Sequence, residues 1–160
     1  MKSIAIEPIT KIDTTVQIPG SKSITNRALV IAALANGQSV LENVLFSEDT
    51  ELMISALQKV GIRIDQNGEQ LTVYGGVQNL QPYSSPIYLG NSGTCMRFLT
   101  TMLILGKGKY ELGGTERMHE RPIKDLVDAL QGIGQNIKYK LKSGYPPLVI
   151  QAHGLKGGMV

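Results

Sequence analysis

The stretch PGSKSITNRALVIAALA, residues 19–35, decides the fold, because its second part is apolar on every side. The pattern predicts a helix over residues 21–35 in which ALVIAALA leaves no polar stripe. Surface helices keep such a stripe, whereas a helix that is apolar all round is buried. We therefore expect this helix to lie inside the protein, with sheets outside it.

A second stretch of the same kind, LGNSGTCMRFLTTMLIL, occupies residues 89–105. Around each stretch, the periodicity predicts the same succession of helix, strand, helix, strand and strand, over about 20–75 and about 86–152. Through the first helix of each copy, Arg27 aligns with Arg97. The sequence therefore predicts a duplicated βαββ-type unit in an α/β (α+β) domain. A plain two-layer α+β sandwich is the alternative that the pattern leaves open.

Composition excludes several classes of protein. One cysteine in 160 residues excludes an internal disulfide framework, and no Cys/His cluster has the spacing of a metal site. The apolar runs fall short of the roughly 18 residues that span a bilayer, and the first residues lack the apolar core of a secretory signal. We therefore expect a soluble, cytoplasmic protein that holds no metal and does not enter a membrane.

The basic residues are concentrated in the second part of the chain. Residues 1–74 carry six Lys/Arg against eight Asp/Glu, while residues 75–160 carry ten against five. A basic balance of this size suits phosphorylated small molecules. Nucleic acid is disfavoured as a partner, because the chain has no block of basic residues and few aromatic side chains that stack on bases.

Polar and cationic side chains stand at the start of the first apolar helix, at Lys22, Ser23 and Arg27. A helix N-terminus offers N–H groups without partners and a partial positive charge, so it attracts anions. Capping explains the serine, but it needs no cation, and the helix dipole disfavours a cation unless an anion is bound. Gly20 would let a ligand approach the backbone closely. The sequence therefore predicts an anion site here.

The second apolar helix repeats this arrangement with Asn91, Gly93, Thr94 and Arg97. Its glycine again would let a ligand approach the backbone. A third group of cations lies on the loop over residues 117–121, which begins and ends with Arg. Arg is suited to bidentate contact with a phosphate or carboxylate. Two helix starts and one loop therefore predict a site for two anionic molecules.

Three motifs carry a family resemblance: PGSKSITNRAL at 19–29, LGNSGTCMRFL at 89–99 and RMHERPIKDLVDAL at 117–130. In this order they resemble the signature stretches of the 5-enolpyruvylshikimate-3-phosphate synthase family, the 3-phosphoshikimate 1-carboxyvinyltransferases. The resemblance implies an inside-out α/β enolpyruvyl transferase-type fold, in which repeated βαββαβ-like units bury their helices between outer sheets. Each family domain has three such units, and two are present here.

Members of that family have two domains and are well over twice this length. The resemblance therefore implies that residues 1–160 form a single, incomplete domain whose partner is the missing C-terminal part of the same enzyme. It also implies that the first strand, at about 4–7, belongs to the missing domain.

The resemblance implies an enzyme of the shikimate pathway of aromatic amino acid biosynthesis. The family transfers the enolpyruvyl group of phosphoenolpyruvate to the 5-hydroxyl of shikimate 3-phosphate and releases phosphate, without a metal or organic cofactor. The positions that match its contacts to shikimate 3-phosphate are Lys22, Ser23 and Arg27. The positions that match its contacts to phosphoenolpyruvate are Lys22, Gly93 and Arg121. The positions that would shape the phosphoenolpyruvate site are Asn91, Thr94 and Arg97.

The proton-transfer residues of the family lie in its second domain, so we expect this chain to be inactive alone. No residue is assigned to proton transfer, and Lys22 stays a candidate for a catalytic role. Glu48, Asp49 and Glu51 are interpreted as acids of the first turn of a helix, and Cys95 as a packing residue.

Two other functions stay open. UDP-N-acetylglucosamine 1-carboxyvinyltransferases form a sister family, but that family uses a loop cysteine where this chain has Glu116. A non-catalytic, anion-binding fragment is the second alternative. Binding measurements with shikimate 3-phosphate and with the UDP-sugar distinguish these functions.

Overall fold

Four α-helices and seven β-strands form the secondary structure of residues 3–155, which are the residues that the computed structural model describes. The helices are α1 Lys22–Leu34, α2 Glu48–Lys59, α3 Gly93–Leu103 and α4 Lys124–Gly132. The strands are β1 Gly37–Leu41, β2 Arg63–Asn67, β3 Gln70–Gly75, β4 Ile87–Tyr88, β5 Lys107–Gly113, β6 Asn136–Tyr139 and β7 Leu148–His153. Among these helices, none has the length and apolar character needed to cross a membrane.

The strands form two sheets that share one order. In the first sheet β3 lies between β1 and β2, and in the second β7 lies between β5 and β6, with antiparallel pairing throughout. The second sheet has an additional strand, because β4 pairs in parallel with β5. This mixture of sheets and helices confirms the predicted α/β class.

Three helices lie between the two sheets. The helix α1 contacts β1 and β3, α3 contacts β5 and β7, and α2 contacts both sheets through β2 and β4. Apolar side chains fill this interior, where Leu29 of α1, Leu57 of α2 and Leu99 of α3 are fully buried. The helices are therefore inside and the sheets outside, as the sequence predicted, and the two-layer alternative is wrong.

The outer face of α1 differs from the prediction. Leu29, Ala32 and Ala33 face the core, but Ile24 is 69% exposed and Ile31 is 68% exposed. Within residues 3–155, the packing partners of α1 are α2, α3, β1 and β3, which leave this side of the helix uncovered. The prediction that α1 is buried on every side is therefore wrong for the described residues.

The predicted strand at about 4–7 is also absent. Residues 3–21 form no helix or strand, and Ile4 and Ile6 are each 89% exposed. A strand needs a neighbour that pairs with its N–H and C=O groups, and none of the seven described strands pairs with this segment. Its alternating apolar residues are therefore not sufficient to make it a strand here.

Candidate functional site

The first turns of α1, α2 and α3 lie together at one end of the protein. Lys22 Nζ of α1 lies 3.1 Å from Asp49 Oδ2 of α2. The thiol of Cys95 in α3 donates to the main-chain oxygen of Asp49 at 3.2 Å. Asp49 therefore touches both neighbouring helix starts, so the two predicted anion sites are adjacent.

The start of α1 presents a patch of polar and cationic groups. The helix begins after Ser21, whose hydroxyl accepts a hydrogen bond from the Ile24 N–H at 3.4 Å. Arg27 folds back along the helix and donates to the Ser23 carbonyl at 2.8 Å and to the Ser23 hydroxyl. Lys22, Ser23 and Arg27 are all exposed. The structure therefore brings the three residues of the first predicted anion site to one surface.

The guanidinium group of Arg121 lies against the start of α3. Arg121 Nη1 donates to the main-chain oxygen of Asn91 at 2.8 Å. A Cβ atom added at Gly93 would lie 2.9 Å from Arg121 Cζ, which is closer than van der Waals contact allows. Gly93 therefore makes room for the arginine, and this loop cation lies directly against the helix start.

A pocket of about 180 Å³ opens at this helix start. Arg97 stands one turn further along α3 and donates through Nη2 to the main-chain oxygen of Pro122 at 2.8 Å. Four of the predicted residues line the pocket together with five others: Gly93, Thr94, Arg97 and Arg121, with Met96, Met118, Pro122, Ile123 and Pro146. The loop and the helix therefore form one concave surface.

Phe98 joins the two helix starts. The guanidinium carbon of Arg27 lies 5.6 Å from the centroid of the Phe98 ring, within the range of a cation–π contact. The first copy of the repeat thus places its arginine against the helix of the second copy. Sequence reasoning missed this contact and the one between Lys22 and Asp49, because local spacing carries no signal for pairs far apart in the chain.

The structure adds detail to two of the expected contributions. A Cβ atom added at Gly20 would lie 2.1 Å from the main-chain oxygen of Asn43, so this glycine allows close packing of two chain segments. This close packing gives Gly20 a structural role that the sequence did not predict, and ligand approach at its backbone stays a prediction. On the 117–121 loop, Arg117 pairs with Glu120 at 2.9 Å, and only Arg121 of the loop's two arginines contacts the helix start.

The site is electropositive and holds no reactive thiol. Lys22, Arg27, Arg97 and Arg121 are exposed cations, and Asp49 is the acid in contact with one of them. Burial raises the pKa of the Cys95 thiol to about 11, so the group stays protonated near neutral pH. The packing role predicted for this residue agrees with its burial. Within residues 3–155, no group of three His, Cys, Asp or Glu side chains lies close enough to hold a metal ion.

These groups suit the binding of two anions. Each helix start supplies N–H groups and a partial positive charge, and each has its own cations. Guanidinium groups add paired hydrogen-bond donors that fit phosphate and carboxylate oxygens. Two anionic molecules that repel each other in water can therefore be held side by side at this end of the protein.

Comparison with known proteins agrees with this chemistry. A family model described as EPSP synthase (3-phosphoshikimate 1-carboxyvinyltransferase) matches residues 6–160. Among curated relatives, the 3-phosphoshikimate 1-carboxyvinyltransferase of Marinomonas sp. (strain MWYL1) is 46% identical over 162 residues, and that of Aeromonas salmonicida (strain A449) is 47% identical over 164 residues. Each alignment includes 100% of this chain and 38% of the relative, so the chain spans 38% of the length of these relatives.

Solved structures show the same likeness in three dimensions. Two structures of EPSP synthase from Acinetobacter baumannii are 30% identical to this chain, with TM-scores of 0.82 and 0.83. The matches cover 89% and 91% of this chain, and 33% and 34% of the two solved chains. The family model matches residues 6–160, and the chain therefore belongs to the EPSP synthase (3-phosphoshikimate 1-carboxyvinyltransferase) family.

Proposed function

We propose that the chain serves the transfer of the enolpyruvyl group from phosphoenolpyruvate to the 5-hydroxyl of shikimate 3-phosphate. The observation that carries this proposal is the contact of two helix starts that each have their own cations. Both substrates carry a phosphate and a carboxylate, and a transfer between them needs two adjacent anion sites. Membership of the family supports the same reaction.

Shikimate 3-phosphate is proposed to bind at the start of α1. Ser23 and Arg27 are already joined by hydrogen bonds, so they present a hydroxyl and a guanidinium group to one ligand. Lys22 adds a charge on the side that faces α2. Such preorganised groups lose little side-chain entropy when a ligand binds.

Phosphoenolpyruvate is proposed to bind at the start of α3. Gly93 and Arg121 lie against each other there, and Lys22 is proposed to reach the same ligand from α1. The remaining residues that are proposed to shape this site are Asn91, Thr94 and Arg97. Their support is the hydrogen bond from Arg121 to the Asn91 carbonyl and the pocket that Thr94 and Arg97 line.

Proton transfer is proposed to depend on groups outside this chain. The reaction needs an acid or base within hydrogen-bond reach of the reacting atoms. Asp49 lies near the site, but its carboxylate is in contact with Lys22. The chain spans 38% of the length of its relatives. We therefore propose that it forms a single, incomplete domain and acts together with the rest of such an enzyme. The proposed location is the cytoplasm.

Titration calorimetry with shikimate 3-phosphate tests this proposal directly. We expect the chain to bind shikimate 3-phosphate, and Arg27→Ala to weaken that binding by at least tenfold. Arg121→Ala is the matched control on the other helix start, and it should leave the affinity for shikimate 3-phosphate within about threefold. Preferential binding of UDP-N-acetylglucosamine would favour the sister family, and no binding of either ligand would contradict the proposal.

A further inference from the structure

Asp49 differs from the other acids of its helix turn in what it touches. Glu48 and Glu51 are exposed, and neither forms an ion pair with a described residue. The Asp49 side chain is only 25% exposed and lies 3.1 Å from Lys22. Its main-chain oxygen accepts the hydrogen bond from the Cys95 thiol. One residue of α2 therefore contacts the first turns of both α1 and α3.

The helix dipoles act in opposite ways on the two charges of the Lys22–Asp49 pair. A cation in the first turn of α1 is disfavoured by the dipole of its own helix, whereas a carboxylate in the first turn of α2 is favoured. The contact with Asp49 therefore offsets an unfavourable position for Lys22. Because the Lys22 side chain is 53% exposed, the pair contributes little to folding stability, and its main effect is on where the ammonium group lies.

We infer that Asp49 is a positioning residue, which holds the Lys22 ammonium group beside the start of α3 while its backbone is tied to that helix through Cys95. This inference rests on the proposed function, since it assigns Lys22 to the anionic ligands of that site. Without the carboxylate, Lys22 has four rotatable bonds and no other ion-pair partner among residues 3–155. The ligand would then have to order this side chain when it binds.

A competing role for Asp49 predicts the opposite sign. If its carboxylate only neutralised Lys22, its removal would free a cation and strengthen the binding of an anion. A positioning role predicts weaker binding instead. The direction of the change in affinity therefore separates the two roles.

The first experiment measures the affinity for shikimate 3-phosphate in three variants. Asp49→Asn is expected to weaken binding about tenfold, the size of coupling found between contacting residues of one network. Asp49→Glu keeps the charge and should recover binding to within about threefold of the original chain. Glu51→Gln makes the same change of charge in the same helix turn, and we expect it to stay within about twofold.

A double-mutant cycle separates positioning from a general effect on structure. With Lys22→Ala already present, Asp49→Asn should change the affinity by less than about twofold, because the side chain that it positions is gone. An effect through the stability or the dipole of α2 would persist in that background. Equal losses with and without Lys22 would overturn the inference, as would unchanged or tighter binding in Asp49→Asn alone.

A measurement without ligand keeps the inference separate from the proposed function. In NMR spectra of the free chain, an ordered Lys22 is expected to show two resolved ε-methylene proton signals, which merge in Asp49→Asn and stay resolved in Glu51→Gln. If the original chain shows this pattern but binds no shikimate 3-phosphate, the proposed function fails and the positioning by Asp49 stands. If Lys22 is averaged in the original chain too, the inference is overturned.

Discussion

The two apolar helices share one sequence pattern and a buried inner face, but they differ in the side chains that they expose on the outer face. Leu29 of α1 and Leu99 of α3 stand at matching positions of the repeat, and both are fully buried. At the next outward position, α1 has Ile31, which is 68% exposed, and α3 has Thr101, whose hydroxyl bonds the Arg97 carbonyl at 3.0 Å. Burial of such a helix thus follows from the pattern, whereas which of its faces stays exposed depends on its neighbours.

The largest expected effect is a loss of stability when side chains on the buried faces of α1 and α3 are shortened. Leu29→Ala and Leu99→Ala should each lower the free energy of unfolding by about 2–5 kcal/mol, because each leaves a cavity in the same core. Ile31→Ala is the outer-face control in α1 and should cost less than about 0.5 kcal/mol. Urea unfolding of the three variants measures these differences. If Ile31→Ala costs as much as Leu29→Ala, the outer face of α1 is covered in solution and the contrast between the two faces of this helix disappears.

The next effect concerns the pH dependence of stability and compares Cys95 of α3 with Thr25 at the matching position of α1. Burial disfavours the thiolate of Cys95 and raises its pKa from the ordinary value of 9.0 to about 11. A raised pKa stabilises the fold below the ordinary value, and this contribution is lost as the pH rises through 11. The original chain should lose about 3 kcal/mol between pH 9 and 11 that Cys95→Thr does not lose.

Urea unfolding at a series of pH values measures that difference. Both proteins contain the same Tyr and Lys groups, which titrate in this range as well, so their shared pH dependence cancels in the comparison. Identical curves for the original chain and for Cys95→Thr would show that the thiol is solvated in the folded protein.

A smaller effect concerns Gly93 and tests the second helix start. Gly93→Ala should displace the Arg121 guanidinium group and weaken the binding of phosphoenolpyruvate about tenfold, while stability changes by less than about 1 kcal/mol. Gly132→Ala is a matched control, since a Cβ atom added there meets no atom within 4 Å. Titration calorimetry in the presence of shikimate 3-phosphate measures both. Equal affinities in the two variants would show that Arg121 does not need the space at Gly93.

The smallest expected effect concerns the outer face of α1. Ile24 and Ile31 match Thr94 and Thr101 of α3, so Ile24→Thr and Ile31→Thr give α1 the side chains that α3 has at these two positions. Each change should alter the free energy of unfolding by less than about 0.5 kcal/mol, because these side chains are exposed. Together they should reduce self-association at high protein concentration, which sedimentation velocity measures. A large loss of stability would show that this apolar face is packed in the free chain.

The success of the sequence prediction differed between the fold and the site. The repeated order of elements and the burial of Leu29 and Leu99 were predictable, because a helix with so many apolar residues must pack against a core. Which face of α1 stays exposed was not predictable from that pattern. The packing of Gly20 against Asn43 was missed, since Asn43 is brought close only by the path of β1. The contact of Lys22 with Asp49 also lies beyond local reasoning, because the two residues belong to different helices.

The sequence by itself determined where the helices start, that α1 and α3 are apolar enough to be buried and that the unit occurs twice. These properties depend on caps, turns and periodicity, which act within a few residues of each position. The tertiary structure alone decided that Asp49 lies between two helix starts, that Arg121 lies against Gly93 and that the outer face of α1 stays exposed. Such contacts depend on how whole helices and sheets pack, and packing is set by shape across the entire core.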